Sequence, residues 1–513
     1  MNLLFNRKDV QPALYRPMSL HLIRRQLLWI VAAYFMITAF TLYLLGGNDV
    51  MRVAGSAVGL IICGLMFAFY GDEQFDMFSP AFFWGISFAV FNGVAAIMPF
   101  LMPPEAGDFS VAYARGRPYY PLAALVSLCC MLFFFAGYRN KMFASWGKHN
   151  TWFIGRTGAE RNVRLYWATL LVMGVSYFLI LISGGGFDQV TTEVQSPMFY
   201  SAAGFLQSGL TVAVPLAITR ALSANSEKFW KIAAIISVGV TLLFGLPSGS
   251  KTMALLAFMF IAFAWNYGRH RFSRRQALLS VVLVIIVLIV LMPFNAVYRD
   301  VLLSSKLAGQ GLSENFSMMK DAAVELGERD PQKVIDLALS YTSQRLSDIS
   351  IVAVLLDYQE KHDDLALGGT YFRLFYMFIP RFIWPEKPSV TFGREVAVKL
   401  DLGKSEGVVL GVEMSNTSVG LTFVGEAIYN FSIYLAPLFM FAMGAFYRWL
   451  YEAIKAHHPN TDAIVVSVAC LVWYVLIFSA HESHMAAQLA GVFKFIIFLW
   501  LLQCLLKFRK NKA

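Results

Sequence analysis

QLLWIVAAYFMITAFTLYLLG, residues 26–46, decides the fold. The run carries no charged side chain, and at about 1.5 Å of rise per residue a helix of this length crosses a hydrocarbon core of about 30 Å. Similar runs lie near 51–70, 79–102, 119–137, 165–183, 199–219, 231–247, 252–267, 277–295, 432–450, 462–480 and 486–506. In hydrocarbon a backbone must satisfy its own hydrogen bonds, which leaves helices as the reading of such runs. The expected fold class is therefore all-α, a polytopic integral membrane protein of about 12 transmembrane helices with one large external loop.

Composition agrees: 58% of the chain is hydrophobic, 14% is charged, and the mean hydropathy is +0.59. A soluble domain carries far more charge. The opening MNLLFNRKDVQPALYRPMSLHLIRRQ is basic but lacks a cleavable apolar core, so the first run reads as an uncleaved span. Cys63, Cys129, Cys130, Cys470 and Cys504 all fall inside apolar runs, without zinc spacing or a disulfide framework, and read as packing residues. The net charge of +10 falls mostly between spans, where membrane topology explains it without nucleic acid.

Lys and Arg collect in cytoplasmic loops. One set of alternate loops holds Arg24 and Arg25, then Arg139, Lys141, Lys148, Arg156 and Arg161, then Arg220 and Lys228, then Arg269, Arg271, Arg274 and Arg275, then Arg448 and Lys455, and finally Lys507, Arg509, Lys510 and Lys512. The other set, including GGND, PSGS and AHESH, is almost free of them, which places both termini in the cytoplasm. The acidic turn Gly71 to Asp76 breaks the trend, although carboxylates weigh little in it. The chain divides into residues 1–296 with spans one to nine, an external loop over 297–431, and residues 432–513 with the last three spans.

Basic residues on the external side have no sorting role. Arg115 and Arg117, Lys251, and in the loop Arg299, Arg329, Arg345, Arg373, Arg381, Lys387, Arg394 and Lys404 lie there, and an anionic ligand is their natural explanation. In the loop, Asp330 followed by Pro331 reads as an N-cap and first turn of a helix expected to lie against the membrane part. Arg345 interrupts its apolar face, either as a ligand or paired with Asp348 at i+3. After Gly368 and Gly369 comes YFRLFYMFIPRFIWPEKP, Tyr371 to Pro388, a dense aromatic run with Arg373, Arg381 and Lys387. Arginine offers a planar fork for phosphate and lysine a point charge; the competing reading is an interfacial anchor with its aromatic belt. A mobile-looking segment extends from Ser389 to Gly411.

Other candidates each carry two readings. Arg299 at a span exit is a ligand or a snorkelling cation, and Lys251 in GLPSGSKT is an anion contact or the cap of a span. That stretch is not a Walker loop, because its second glycine comes one residue early and no strand precedes it. His481-Glu482-Ser483-His484 lacks zincin spacing, and His481 is a proton acceptor or part of an interfacial turn. Glu426, in the apolar context VGEAIYNF, is a base or a satisfied structural acid.

Arg345 with Ser347, the turn Gly368 to Tyr371, Pro380-Arg381 with Trp384-Pro385 and Lys387-Pro388, and Gly425-Glu426 with Asn430-Phe431 resemble the Wzy-type oligosaccharide repeat unit polymerases, the O-antigen polymerase family. Ser248 to Lys251 resembles that family's small-residue and basic pattern, with Lys where Arg is more usual. The resemblance implies a GT-C-like, metal-independent membrane glycosyltransferase without cofactor, in the bacterial cytoplasmic (inner) membrane. It would act on undecaprenyl-pyrophosphate-linked oligosaccharide among membrane lipids, with a chain-length regulator as a possible partner. It implies Glu426, Arg381 and Arg345 as catalytic groups, and Arg299, Lys251, Lys387, Arg373, Trp384 and His481 as contacts to pyrophosphate or sugar. A ligase using the same donor is the nearest alternative, and a flippase of lipid-linked sugars is the alternative from another class. The near absence of charge within spans and of internal repeats speaks against the flippase.

Overall fold

The computed structural model describes residues 18–101, 115–149, 159–182, 210–222, 227–245, 251–268, 271–283, 293–294, 297–298, 312–330, 332–336, 348–362, 364–377, 379, 383–384, 392–402, 405–409, 412–415, 419–455, 485, 489, 492, 497 and 501. Helix α1 (Met18–Leu45) turns over Gly46 into α2 (Asp49–Tyr70), whose N-cap Asn48 accepts the Met51 N–H at 2.9 Å. Ser79 caps α3 (Pro80–Ser87) in the same way, with Pro80 in the first turn where a missing N–H is harmless. A π-helical turn (Phe88–Val94) joins α3 to α4 (Ala95–Leu101). A 3₁₀ turn, Arg117–Tyr119, leads into α5 (Tyr120–Tyr138), followed by α6 (Lys141–His149), α7 (Ala159–Ile182), α8 (Leu210–Ala221), α9 (Lys228–Gly245) and α10 (Lys251–Gly268).

In the large loop, α11 (Leu312–Glu328) precedes α12 (Asp348–His362), the short turns α13 (Gly369–Phe372) and α14 (Leu374–Met377), α15 (Phe392–Lys399) and a hairpin of β1 (Ser405–Val409) with β2 (Val412–Ser415). The strands are antiparallel, with Val409 opposite Val412 and an irregularity between Ser405 and Gly407. Helix α16 (Thr422–Lys455) completes the described chain apart from single residues beyond it.

Five stretches among the described residues are long and apolar enough to cross a membrane: Gln26–Leu45, Asp49–Tyr70, Pro80–Phe100, Arg117–Tyr138 and Thr422–Ala453. The first four match expected spans. The fifth begins ten positions before the expected 432, and it is broken at Ser432, whose φ of 61° and ψ of 177° leave the helical region. Of the other expected spans, 165–183, 231–247 and 252–267 fall largely on α7, α9 and α10, whereas 462–480 lies outside the described residues.

The class is helical, and the hairpin is the departure from an all-α chain. Its residues fall partly in the segment expected to be mobile, which also holds α15. Val396 of α15 and Leu400 just after it are fully buried in a second core with Leu355 of α12 and Tyr429 of α16, and that apolar contact is what the local polarity of the segment concealed.

The principal core gathers α2, α3, α5 and α16. Helices α5 and α16 approach so closely that a Cβ on Gly137 would stand 1.9 Å from the Phe441 carbonyl oxygen, and one on Gly444 2.0 Å from that of Phe134. Small residues bring helix backbones together in this way where lipid offers no hydrophobic drive. Cys63 and Cys130 are buried there as free thiols.

The acidic turn at Gly71 to Asp76 has a structural cause. Asp72 accepts from Arg448 Nη1 at 2.8 Å and from the Tyr138 hydroxyl at 3.1 Å, while Arg448 also pairs with Glu452 at 2.6 Å. Asp76 accepts from the Phe78 N–H, from Asn266 Nδ2 at 3.0 Å and from the Tyr451 hydroxyl at 2.9 Å. These carboxylates bolt the α2–α3 turn to the far end of α16.

Candidate functional site

Helix α12 lies against the bundle as expected. Every residue from Asp348 to Tyr358 is buried, against α5, α16 and the 3₁₀ turn. Asp330 accepts the Gln332 N–H at 2.9 Å, the bond expected of an N-cap followed by proline. Arg345 itself lies outside the described residues.

Beyond α12 the chain turns sharply at Leu367 and Gly368, which have φ of 45° and 86°. For leucine this left-handed conformation is strained, and the α16 residues beside it hold it in place. The Ala366 and Leu367 N–H groups donate to the Tyr429 and Asn430 carbonyls, both at 3.1 Å.

Asn430 organises the turn and the residues just after it. Its Oδ1 accepts from the Gly368 N–H at 3.1 Å and the Thr370 N–H at 3.4 Å, and its Nδ2 donates to Thr370 Oγ1 and to the Glu426 carbonyl, both at 2.8 Å. A carboxamide has two donors and an acceptor oxygen, and all are used. Because the Asn430 amide occupies the Thr370 oxygen as donor, the threonine proton is directed away, to Glu426 Oε1 at 2.7 Å. The Met485 N–H donates to Glu426 Oε2 at 2.6 Å.

Glu426, Asn430 and Thr370 are thus fully or almost fully buried, and three stretches distant in the chain meet on one carboxylate. Each carboxylate oxygen has about two lone-pair directions, so among the described residues one per oxygen is still open to a further donor. Tyr371 adds the unusual element. Its ring stacks on Phe431 at 5.8 Å and on Phe439 at 4.9 Å, while its buried hydroxyl has no hydrogen-bond partner among the described residues.

The strained backbone clusters here too: Leu367, Thr422 at φ 59° and Ser432 at φ 61° bracket the network. In α16, Glu426 and Asn430 stand at i and i+4, which puts both on one face toward the turn.

Arg373 does not present a vacant guanidinium. Its Nη2 binds Glu395 of α15 at 2.7 Å, both side chains largely buried. Arg115 likewise bonds Asp357 at 3.2 Å, Asp401 at 3.5 Å and the Leu400 carbonyl at 2.9 Å, and Arg329 pairs with Glu325 at 2.6 Å. Each of these three cations, expected on the external side, has a carboxylate of the protein itself as a partner. Nearby, the Tyr358 hydroxyl donates to Asp364 at 3.1 Å, and burial together with that bond pushes the phenol above its ordinary range.

Trp384 is exposed, with its ring edge-on to Tyr376 at 6.1 Å. Lys251 is the first residue of α10. Arg299, Arg381, Lys387 and His481 lie outside the described residues. Thr370 and Asn430 entered the reading of the sequence only through family likeness; the signal available in the chain itself was a Glu and an Asn one helical turn apart in an apolar run.

Fold and site together define a helical protein, several of whose helices are long and apolar enough to span a membrane, with a buried carboxylate where the large loop meets the last such helix. No family model matches the chain, and no curated protein or solved structure matches it either.

Proposed function

We propose that this chain is a membrane polysaccharide polymerase. It transfers a growing glycan from its undecaprenyl pyrophosphate carrier to the next lipid-linked repeat unit, on the external face of the bacterial cytoplasmic membrane, in a bundle of about 12 spans with both termini inside. The observation that carries this reading is the Glu426 network. It supplies a buried carboxylate with open lone pairs, positioned by Thr370 and Asn430, beside an uncommitted phenol at Tyr371.

In this reading the acceptor hydroxyl attacks the anomeric carbon as the bond to the pyrophosphate oxygen breaks. The electron pair leaves with the pyrophosphate and the hydroxyl proton passes to Glu426, a transfer worth on the order of 10² to 10⁴ in rate. Tyr371 donates to the acceptor oxygen and fixes its approach. Arg345, Arg381, Arg299, Lys251 and Lys387 neutralise the charge growing on the leaving group. Arg373, tied to Glu395, holds the loop in place.

Cells carrying Glu426→Gln should lose the polysaccharide ladder on a gel and keep the single-repeat band, with the protein still in the membrane. A normal ladder refutes the role of Glu426. In cells lacking the protein, loss of all capping points to a ligase instead, and repeats trapped on the cytoplasmic side point to a flippase.

A further inference from the structure

Between Leu367 and Met377 the chain reads LGGTYFRLFYM, with Arg373 its only charged residue. Its polar side is turned inward: Thr370 reaches Glu426, the Tyr371 hydroxyl is buried and Arg373 pairs with Glu395. The outward side is apolar and bare. Phe372 is 69% exposed and Phe375 74%, as open as Ile37 at 66% on α1, a helix long and apolar enough to span.

The depth of this segment is set by α16. Thr422–Ala453 would extend about 48 Å as one helix, well beyond a hydrocarbon core of about 30 Å, whereas the part from Ser432 onward spans about 33 Å. The stretch before Ser432 therefore stands at or above the interface. Tyr371 stacks both on Phe431, just before Ser432, and on Phe439, about two turns after it; those two rings are 5.5 Å apart, so the Tyr371 ring sits at the level where the span begins. Short turns of the loop thus pack against the first turns of the span, whose own Tyr434 and Leu438 are exposed.

Such a position demands that backbone donors be satisfied without water. Ala366 and Leu367 donate to α16 carbonyls, Gly368 and Thr370 to the Asn430 side chain, Gly369 to Ala366, and Tyr371 and Phe372 to Gly368. Every N–H from Ala366 to Phe372 has an acceptor within the protein.

We propose that Leu367–Met377 is a re-entrant segment seated in the bilayer leaflet on the side of the large loop, with Phe372 and Phe375 in contact with lipid acyl chains. The bare face carries no charge, and its exposed large side chains, Phe372 and Phe375, are as open as those of a helix long and apolar enough to span, which commits the surface to lipid. A water-facing loop would leave both phenylalanines in solvent.

The test uses purified full-length protein in vesicles of phosphatidylethanolamine and phosphatidylglycerol. A nitroxide is placed at Phe372→Cys and, separately, at Phe375→Cys, with unmutated protein labelled in parallel to give the background of native cysteines. Ile37→Cys serves as the lipid-facing reference and Arg117→Cys as the exposed external one. The expected result is relaxation by oxygen exceeding that by a water-soluble nickel chelate, as at position 37. Nickel access exceeding oxygen access, as at 117, overturns the proposal. Low access to both reagents with spin–spin broadening overturns it as well, because a second copy of the chain then covers the face. The two variants are independent, so poor folding of one leaves the other to decide, and neither readout depends on glycan synthesis.

Discussion

Tyr371→Phe removes one oxygen and leaves the ring between Phe431 and Phe439 in place. In the wild type that oxygen is buried without a hydrogen-bond partner among the described residues, so it has left water with none of them to replace its hydration. An unsatisfied buried polar group costs about 1–3 kcal/mol, and the substitution should return a stabilisation of that order. Packing changes little, since the phenylalanine ring fills the same space. Equilibrium unfolding of both proteins by denaturant in one detergent measures the effect: the midpoint should rise while the slope stays constant. The same variant should give a weakened or absent polysaccharide ladder, because the donor to the acceptor hydroxyl is gone. A variant destabilised by about 1 kcal/mol or more would show that the hydroxyl is satisfied in the resting protein. A more stable variant with a full ladder would remove Tyr371 from the reaction.

Asn430→Ala orphans the part-buried Gly368 N–H and the buried Thr370 N–H; the former keeps some access to water and the latter bond is long, so a loss of about 1–3 kcal/mol is expected in the same unfolding assay. Arg448→Met leaves Asp72 and Glu452 buried without their cation, and should lower stability by about 3–5 kcal/mol, with partial recovery when Asp72→Asn and Glu452→Gln are added. Gly444→Ala pushes a methyl group against the Phe134 carbonyl and should cost at least about 1–3 kcal/mol, whereas Gly174→Ala in α7 meets nothing within 4 Å and should be neutral or slightly stabilising. Membrane yield and thermal unfolding of the two glycine variants, measured side by side, check that contrast.

What could be read from the sequence was what is local. A run such as Gln26–Leu45 declares itself because twenty apolar residues in a row have few other uses. Glu426 stood out for the converse reason, a carboxylate in apolar surroundings. Its partners did not, since Thr370 lies 56 positions away and a threonine in a loop looks ordinary. The protein's own partners of Arg115 were not legible, because Asp357 and Asp401 arrive more than 240 residues later. Helix α15 was hidden by its own polarity; Val396 and Leu400 become core residues only once Leu355 and Tyr429 are beside them.

The bolt between the α2–α3 turn and α16 also sets a timetable. Asp72 waits for a partner 376 residues downstream and Asp76 for one 375 downstream. At about 5–20 residues per second of synthesis, roughly 20–75 s pass between their emergence and that of Arg448 and Tyr451. Until then Asp72 has the Tyr138 hydroxyl but lacks the Arg448 cation, and Asp76 lacks the Tyr451 hydroxyl; a carboxylate buried with its partners incomplete is costly, so this turn should stay hydrated while the middle of the protein is made. The bundle therefore closes at this end late in synthesis. A chain ending before residue 448 should leave the turn open to quality-control proteases, even though its first four spans are complete.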